Sequence, residues 1–87
     1  MQTGQREVFG VVRRQILDVL PHLDPTQIRR EANMSDLGAN SIDRMDVVIG
    51  AMLELDIQIP AHRLAGIQDI GSLVATLSAE VAEQEGR

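Results

Sequence analysis

Apolar residues recur at helical spacing from about Gln5 to Leu20, where Val8, Val12, Ile16 and Val19 form a stripe that Phe9 and Leu20 widen. Pro21 ends the pattern, because proline has no amide to donate and cannot extend the helix. From Pro21 to about Leu37 the period is lost. Asp24-Pro25 disfavours helix at the aspartate, and Ile28, Met34 and Leu37 are the apolar residues able to pin a connection that is long for a small domain. An ordered crossover is expected there. Helical spacing returns after the turn-favouring Gly38. Asn40 and Ser41 are both good N-cap types, and Asp43 falls in the first turn, where the helix dipole favours negative charge. This second helix should run to Leu55 or Asp56. Pro60 stops it, Ala61 to Ile67 has room for a short helical turn, and a last helix should start between Asp69 and Ser72. Its apolar face is Leu73, Val74, Leu77, Val81 and Ala82, while residues 1–4 and 83–87 read as polar, frayed ends. Only Asp56 to Pro60 alternates like a strand, and it is too short to build a sheet. The pattern therefore predicts an all-α fold: a small antiparallel bundle of three main helices plus one short helix, with a long first loop.

The second helix has more apolar surface than one core stripe needs. Val47, Val48, Ala51 and Leu55 are spaced to face the other helices, whereas Ile42, Met45, Ile49 and Met52 fall mainly on another side. Two readings stand at this point. A central helix would bury both rows. A partner-binding helix would expose the second row, bordered by Asp43, Asp46, Glu54 and Asp56, to an apolar patch ringed with Arg or Lys.

Length and composition narrow the function classes. Eighty-seven residues support one core, and so one domain over residues 1–87. No window approaches the roughly 18 consecutive apolar residues of a membrane span, and the polar start does not read as a signal peptide. There is no cysteine, so a disulfide framework, a thiolate nucleophile and a Cys-based zinc site are all excluded, and the cytoplasm is the expected compartment. The net charge of −5 disfavours nucleic acid. That charge is uneven: residues 1–35 carry net +1 and residues 36–87 net −6, so the partners of the second part are expected to be basic.

Catalytic chemistry has little to stand on. His22 and His62 lie at boundaries or in loops with no metal-ligand spacing, Ser41 is not in a Gly-x-Ser-x-Gly elbow, and Asp43 and Asp46 fit a recognition face better than an acid/base couple. An isolated Ser41 before a helix would be read as an N-cap. Its surroundings change that reading. The run Asp36-Leu37-Gly38-Ala39-Asn40-Ser41-Ile42-Asp43 resembles the signature of the acyl carrier protein family, Asp-Leu-Gly-(any)-(Asp or Asn)-Ser-(Leu or Ile)-Asp, at the start of that family's second helix. The Asp56-Ile57-Gln58-Ile59-Pro60 exit and the final helix after Gly71 extend the similarity to nearly the whole chain.

The resemblance implies a carrier and not an enzyme, with covalent 4′-phosphopantetheine on Ser41 delivered by a phosphopantetheinyl transferase, and acyl groups carried as thioesters on the terminal thiol. The missing cysteine fits, since the arm would bring the thiol. Three positions depart from the commonest family pattern: Asn40 replaces Asp before the serine, Arg44 adds a cation within the acidic face, and Leu55 replaces an aromatic. The run Gly38 to Arg44 resembles the stand-alone donor carriers of polyketide β-branching cassettes. That resemblance implies malonyl loading by an acyltransferase, decarboxylation to acetyl by a ketosynthase-like enzyme, and use of the acetyl unit by a hydroxymethylglutaryl-type synthase in antibiotic-type biosynthesis. Asp36, Leu37, Asn40, Ile42, Asp43, Arg44, Met45, Asp46, Ile49 and Met52 are then the expected partner face, and the protein is expected to be a monomer. The alternatives are an ordinary fatty-acid, polyketide or peptidyl carrier, and a non-carrier helical interaction module.

Overall fold

The computed structural model of the chain describes residues 4–64, 66–67 and 69–85. Its elements follow in the order α1 (Gln5–Val19), a 3₁₀ turn (Pro25–Gln27), α2 (Ser41–Leu55), the one-turn α3 (Ala61–Leu64) and α4 (Ile70–Glu85). Among the described residues there is no strand, only an isolated bridge between Asn33 and Asp69. Among the described residues no helix is long and apolar enough to cross a membrane.

The bundle closes around the rows set by helical spacing. Val8, Val12 and Ile16 of α1 meet Val47 and Ala51 of α2 and Leu73, Val74 and Leu77 of α4, all essentially removed from water. Val11 is buried as well, whereas Val19 and Phe9 pack only partly against the core. Phe9 lies under the Arg30 guanidinium at 5.3 Å, a cation–π contact between α1 and the crossover. Pro21 follows a helix end at which the Leu20 amide donates to the Ile16 carbonyl at 2.7 Å.

The crossover is ordered by two means. Its local chemistry is a capping box in which Asp24 accepts from the Thr26 amide at 2.9 Å and Gln27 Oε1 accepts from the Asp24 amide at 3.1 Å. This produces a 3₁₀ turn that the sequence reading treats as loop. Its long-range anchor is the start of α4: the Ile70 and Gly71 amides donate to the carbonyls of Ala32 and Arg30 at 2.9 and 2.7 Å. Helix-start amides have no partner within their own helix, so the crossover satisfies α4 while α4 fixes the crossover. A Cβ at Gly71 would stand 3.0 Å from the Arg30 carbonyl oxygen, so glycine permits this approach. Ile28 and Met34 are buried as expected, and Leu37 is half-buried.

Two expectations at the chain's end are corrected. Ala82 is exposed, since the buried face of α4 runs through Ile70, Leu73, Val74, Leu77 and Val81 and turns next to Ser78 and Glu80. Residues 83–85 are helical and not frayed, because Gln84 Nε2 donates to the Gln58 carbonyl at 3.2 Å and to Glu80 at 3.0 Å. Gly4 caps α1, its carbonyl accepting from the Glu7 and Val8 amides, so the expected frayed start is also corrected there; residues 1–3, 86 and 87 lie outside the described residues.

Candidate functional site

Gly38, at φ +103°, occupies the left-handed region that glycine tolerates best and turns the chain into α2. Its amide donates to the Ser35 carbonyl, the next amide, of Ala39, donates to the Met34 carbonyl, and Ala39 is buried. Asn40 is the N-cap. Its Oδ1 accepts from the Asp43 amide at 2.8 Å, and Asp43 Oδ2 accepts from the Asn40 amide at 3.1 Å. Both side chains at this helix start are thus engaged with backbone, which leaves Ser41 as the first helical residue, exposed and with its hydroxyl outside the cap.

Arg44, one turn on, is half-buried and does not stand in the acidic face as its sequence position suggested. Its guanidinium is drawn back toward the crossover, donating from Nη2 to Ser41 Oγ at 3.2 Å and from Nη1 to Ser35 Oγ at 3.0 Å. Three positions along a helix from Ser41, its stem reaches the same side of α2 as the serine. Ser35 is a contributor that sequence reasoning missed, because nothing in the local pattern joins it to a residue nine positions away.

Ser41, Arg44, Met45 and Val48 form one wall of an apolar cleft of about 250 Å³, faced by Leu64 and Ile67, with the buried Met34 and Leu73 also lining it. Arg63 of α3 pairs with the largely buried Glu80 of α4, which holds that side of the cleft in place.

On the outer side of α2, Ile42 and Ile49 are exposed at 73 and 43 %, and Met45, at the rim between this side and the cleft, at 53 %. The second apolar row is therefore not core, except that Met52 is half-buried. Leu53, 77 % exposed, adds to the surface; it lies four residues beyond Ile49 and eleven beyond Ile42, a helical signal that was available in the sequence. Of the expected acidic border, Asp46 and Asp56 are exposed and Asp43 is tied into the cap, while Asp36, expected in the partner face, is exposed as well. Glu54 is engaged by Arg14 of α1 at 2.8 Å, so part of its charge is matched within the fold. Met52, Ile49 and Leu53 continue into an open groove with Ile57, Ile59 and Gln84. His22 and His62 are exposed, and no cluster able to hold a metal occurs among the described residues.

Chemically the arrangement offers an accessible hydroxyl at a helix start, a cation beside it, and amides of the first turn that suit a phosphate ester. Among the described residues, the side chain bonded to that hydroxyl is the Arg44 guanidinium and not an acid/base couple. These residues fit a phosphopantetheine ester and do not fit a nucleophilic serine.

The family model described as the phosphopantetheine attachment site matches residues 10–77. The polyketide biosynthesis acyl-carrier-protein AcpK of Bacillus subtilis is 33% identical over 73 residues, covering 84% of this chain and 89% of that protein. The acyl carrier protein of Clostridium acetobutylicum is 31% identical over 77 residues, covering 87% and 99%. Among solved structures, a chain in the crystal structure of the curacin biosynthetic pathway HMG synthase in complex with acetyl donor-ACP superposes with a TM-score of 0.81 at 23% identity, over 88% of this chain and 99% of that one.

Proposed function

Because the chain belongs to the acyl carrier protein family, we propose that residues 1–87 form one carrier domain in which Ser41 bears the 4′-phosphopantetheine arm, and that the loaded protein donates acetyl to a hydroxymethylglutaryl-type synthase in polyketide β-branching. When bound, the arm supplies a flexible thiol on which acyl groups are held as thioesters. The chain's own residues present it: Gly38 and the Asn40–Asp43 cap fix the start of α2, and Ser41 stays exposed to a transferase with its hydroxyl outside the cap and accepting from Arg44. Carrier proteins are acted on by partner enzymes, so no catalytic group is required here, and the non-carrier interaction module gives way to the family assignment.

The observation that carries the attachment reading is the exposed Ser41 hydroxyl beside the Arg44 guanidinium at 3.2 Å, with the capping side chains already occupied by backbone. For the donor role, support comes from the likeness to a polyketide carrier of Bacillus subtilis and from the fold shared with a chain of a complex between an HMG synthase and an acetyl donor carrier. The partner face is Ile42, Met45, Ile49 and Met52 with Asp36, Leu37, Asn40, Asp43, Arg44 and Asp46 around it. Its partners are a phosphopantetheinyl transferase, a malonyl-loading acyltransferase, a decarboxylating ketosynthase-like enzyme and the synthase, all met in the cytoplasm by a monomer in transient encounters.

Incubation with coenzyme A and a broad-specificity phosphopantetheinyl transferase should add the mass of one phosphopantetheine, and Ser41→Ala should abolish the gain. Acetyl-loaded protein should then pass its acetyl group to a hydroxymethylglutaryl-type synthase. Modification without such transfer would return the protein to ordinary chain-building carriers, which the match to the Clostridium acetobutylicum carrier favours.

A further inference from the structure

Arg44 is the single Arg or Lys between Arg30 and Arg63. It has a position unusual for a lone cation among acids: among the described residues no carboxylate pairs with it, although Asp43 and Asp46 are its near neighbours in sequence. Asp43 is committed to the Asn40 amide. The guanidinium is held instead by two neutral hydroxyls, Ser35 Oγ at 3.0 Å and Ser41 Oγ at 3.2 Å. Ser35 is itself fixed, its amide donating to Asn33 Oδ1 at 2.9 Å. A planar guanidinium with five donors is matched to a phosphate and is under-used by two hydroxyls.

We propose that Arg44 is the residue that binds the phosphate of the arm, with Ser35 as the positioning residue that aims it. The proposal rests on Ser41 as the attachment point. The phosphorus would be bonded directly to the oxygen that Arg44 already contacts, so the non-bridging oxygens arise within reach of the same guanidinium. A bond from the guanidinium to a neutral hydroxyl is thereby exchanged for one to a charged phosphate oxygen. The exchange also offsets the repulsion that Asp36, Asp43 and Asp46 exert on a phosphate, and Asn40 in place of an aspartate lowers that repulsion further. Because Ser41 and Arg44 line one wall of the same cleft, the clamp holds the root of the arm on the cleft side of α2, away from the Ile42 face. Arg44 therefore sets the direction in which the arm leaves the protein.

The test compares wild type, Arg44→Gln, Arg44→Lys and Ser35→Ala, each before and after modification from coenzyme A by a broad-specificity transferase. Intact mass reports attachment, the phosphorus NMR resonance reports the environment of the phosphate, and thermal unfolding of both forms gives the shift on modification. In Arg44→Gln, driven to full modification with excess transferase, the phosphorus resonance should move, and the shift in unfolding midpoint should be less favourable than in wild type by roughly 1–5 °C at low salt. Arg44→Lys should recover part of the difference, Ser35→Ala should lose part of it, and 1 M salt should remove most of it. A modified Arg44→Gln protein with the wild-type resonance and the wild-type shift overturns the clamp and leaves the attachment reading standing. Absence of any mass gain in wild type overturns both.

Discussion

Asn40 and Asp43 hold each other's backbone amides across the first turn of α2, at 2.8 and 3.1 Å. The reciprocal pair satisfies two amides that the helix cannot satisfy itself and fixes the turn on which Ser41 stands. Asn40→Ala should lower stability by about 1 kcal/mol, read as a lower urea midpoint with unchanged slope, while Asn40→Asp keeps the oxygen acceptor and should stay within about 0.5 kcal/mol of wild type. Equal losses in the two variants would show that the cap contributes nothing specific.

At the other end of the cleft, Arg63 joins the one-turn α3 to Glu80 of α4, a carboxylate only 10 % exposed that also accepts from Gln84 Nε2. A helix of four residues makes few internal bonds and depends on such ties. Arg63→Met removes the ion pair from a largely buried carboxylate and should cost about 1–2 kcal/mol, discounted because the arginine is 41 % exposed. Amide hydrogen exchange should quicken over residues 61–64 and stay unchanged in α1. Unaltered exchange in α3 would assign its position to Leu64 packing alone.

Two hydrogen-bonded carboxylates, Asp24 on the surface and the half-buried Asp69, tie stability to acid. The Thr26 amide and hydroxyl hold Asp24 below the usual carboxylate range, and the Ser72 hydroxyl and amide do the same for Asp69 at the start of α4. A depressed folded value means that the unfolded chain binds protons more readily. The stabilisation is therefore complete above the ordinary carboxylate value and is lost as pH falls below about 4 through the folded values. Urea midpoints should be level from neutral pH down to about pH 5 and fall below about 4. Asp24→Asn and Asp69→Asn should each be less stable at pH 7 and lose less on acidification. An acid limb as steep in the double variant as in wild type would remove both from the account.

What the sequence made legible was local. The bounds of α1 and α2, the anchors Ile28 and Met34, and the cap at Asn40 follow from period, proline and cap chemistry, all of which act within a few residues. What it concealed was long-range. Glu54 looks like part of an acidic rim until Arg14, forty positions earlier, is placed against it. Residues 83–85 look frayed until Gln58 supplies a carbonyl to Gln84. Arg44 could have pointed into the acidic face, and its return to Ser35 depends on how the crossover is seated on α4. Periodicity assigns a residue to a side of its own helix; only packing says what stands opposite.

Arg44 also separates modification from transfer. Arg44→Glu replaces the guanidinium beside Ser41 with a third carboxylate near Asp43 and Asp46, yet leaves the Asn40 cap and the exposed hydroxyl in place. Modification by a broad-specificity transferase should slow by less than about threefold, and acetyl transfer to a hydroxymethylglutaryl-type synthase should fall by about tenfold or more, the equivalent of one lost charged contact. Equal losses in both assays, or none in either, would detach Arg44 from partner choice.

The exposed row of α2 supplies the last prediction. Ile42, Ile49 and Leu53 lie along one line of the helix, with Met45 beside it, and none has a core role that would maintain it as apolar. Exposed aliphatics in a continuous row are costly to solubility and are retained where a partner covers them. Changing each to serine should alter stability by no more than about 0.5 kcal/mol. Docking energy concentrates in a few central contacts, so the four should not weaken synthase transfer alike: Ile42 and Met45, nearest Ser41, should cost about 1–2 kcal/mol, or about 5- to 30-fold, and Leu53, twelve residues beyond the serine, well under 1 kcal/mol. Steady-state transfer from each loaded variant measures the gradient. A loss greatest at Leu53 would place the synthase on the Ile57 and Ile59 groove at the far end of α2, and move the interface away from the serine.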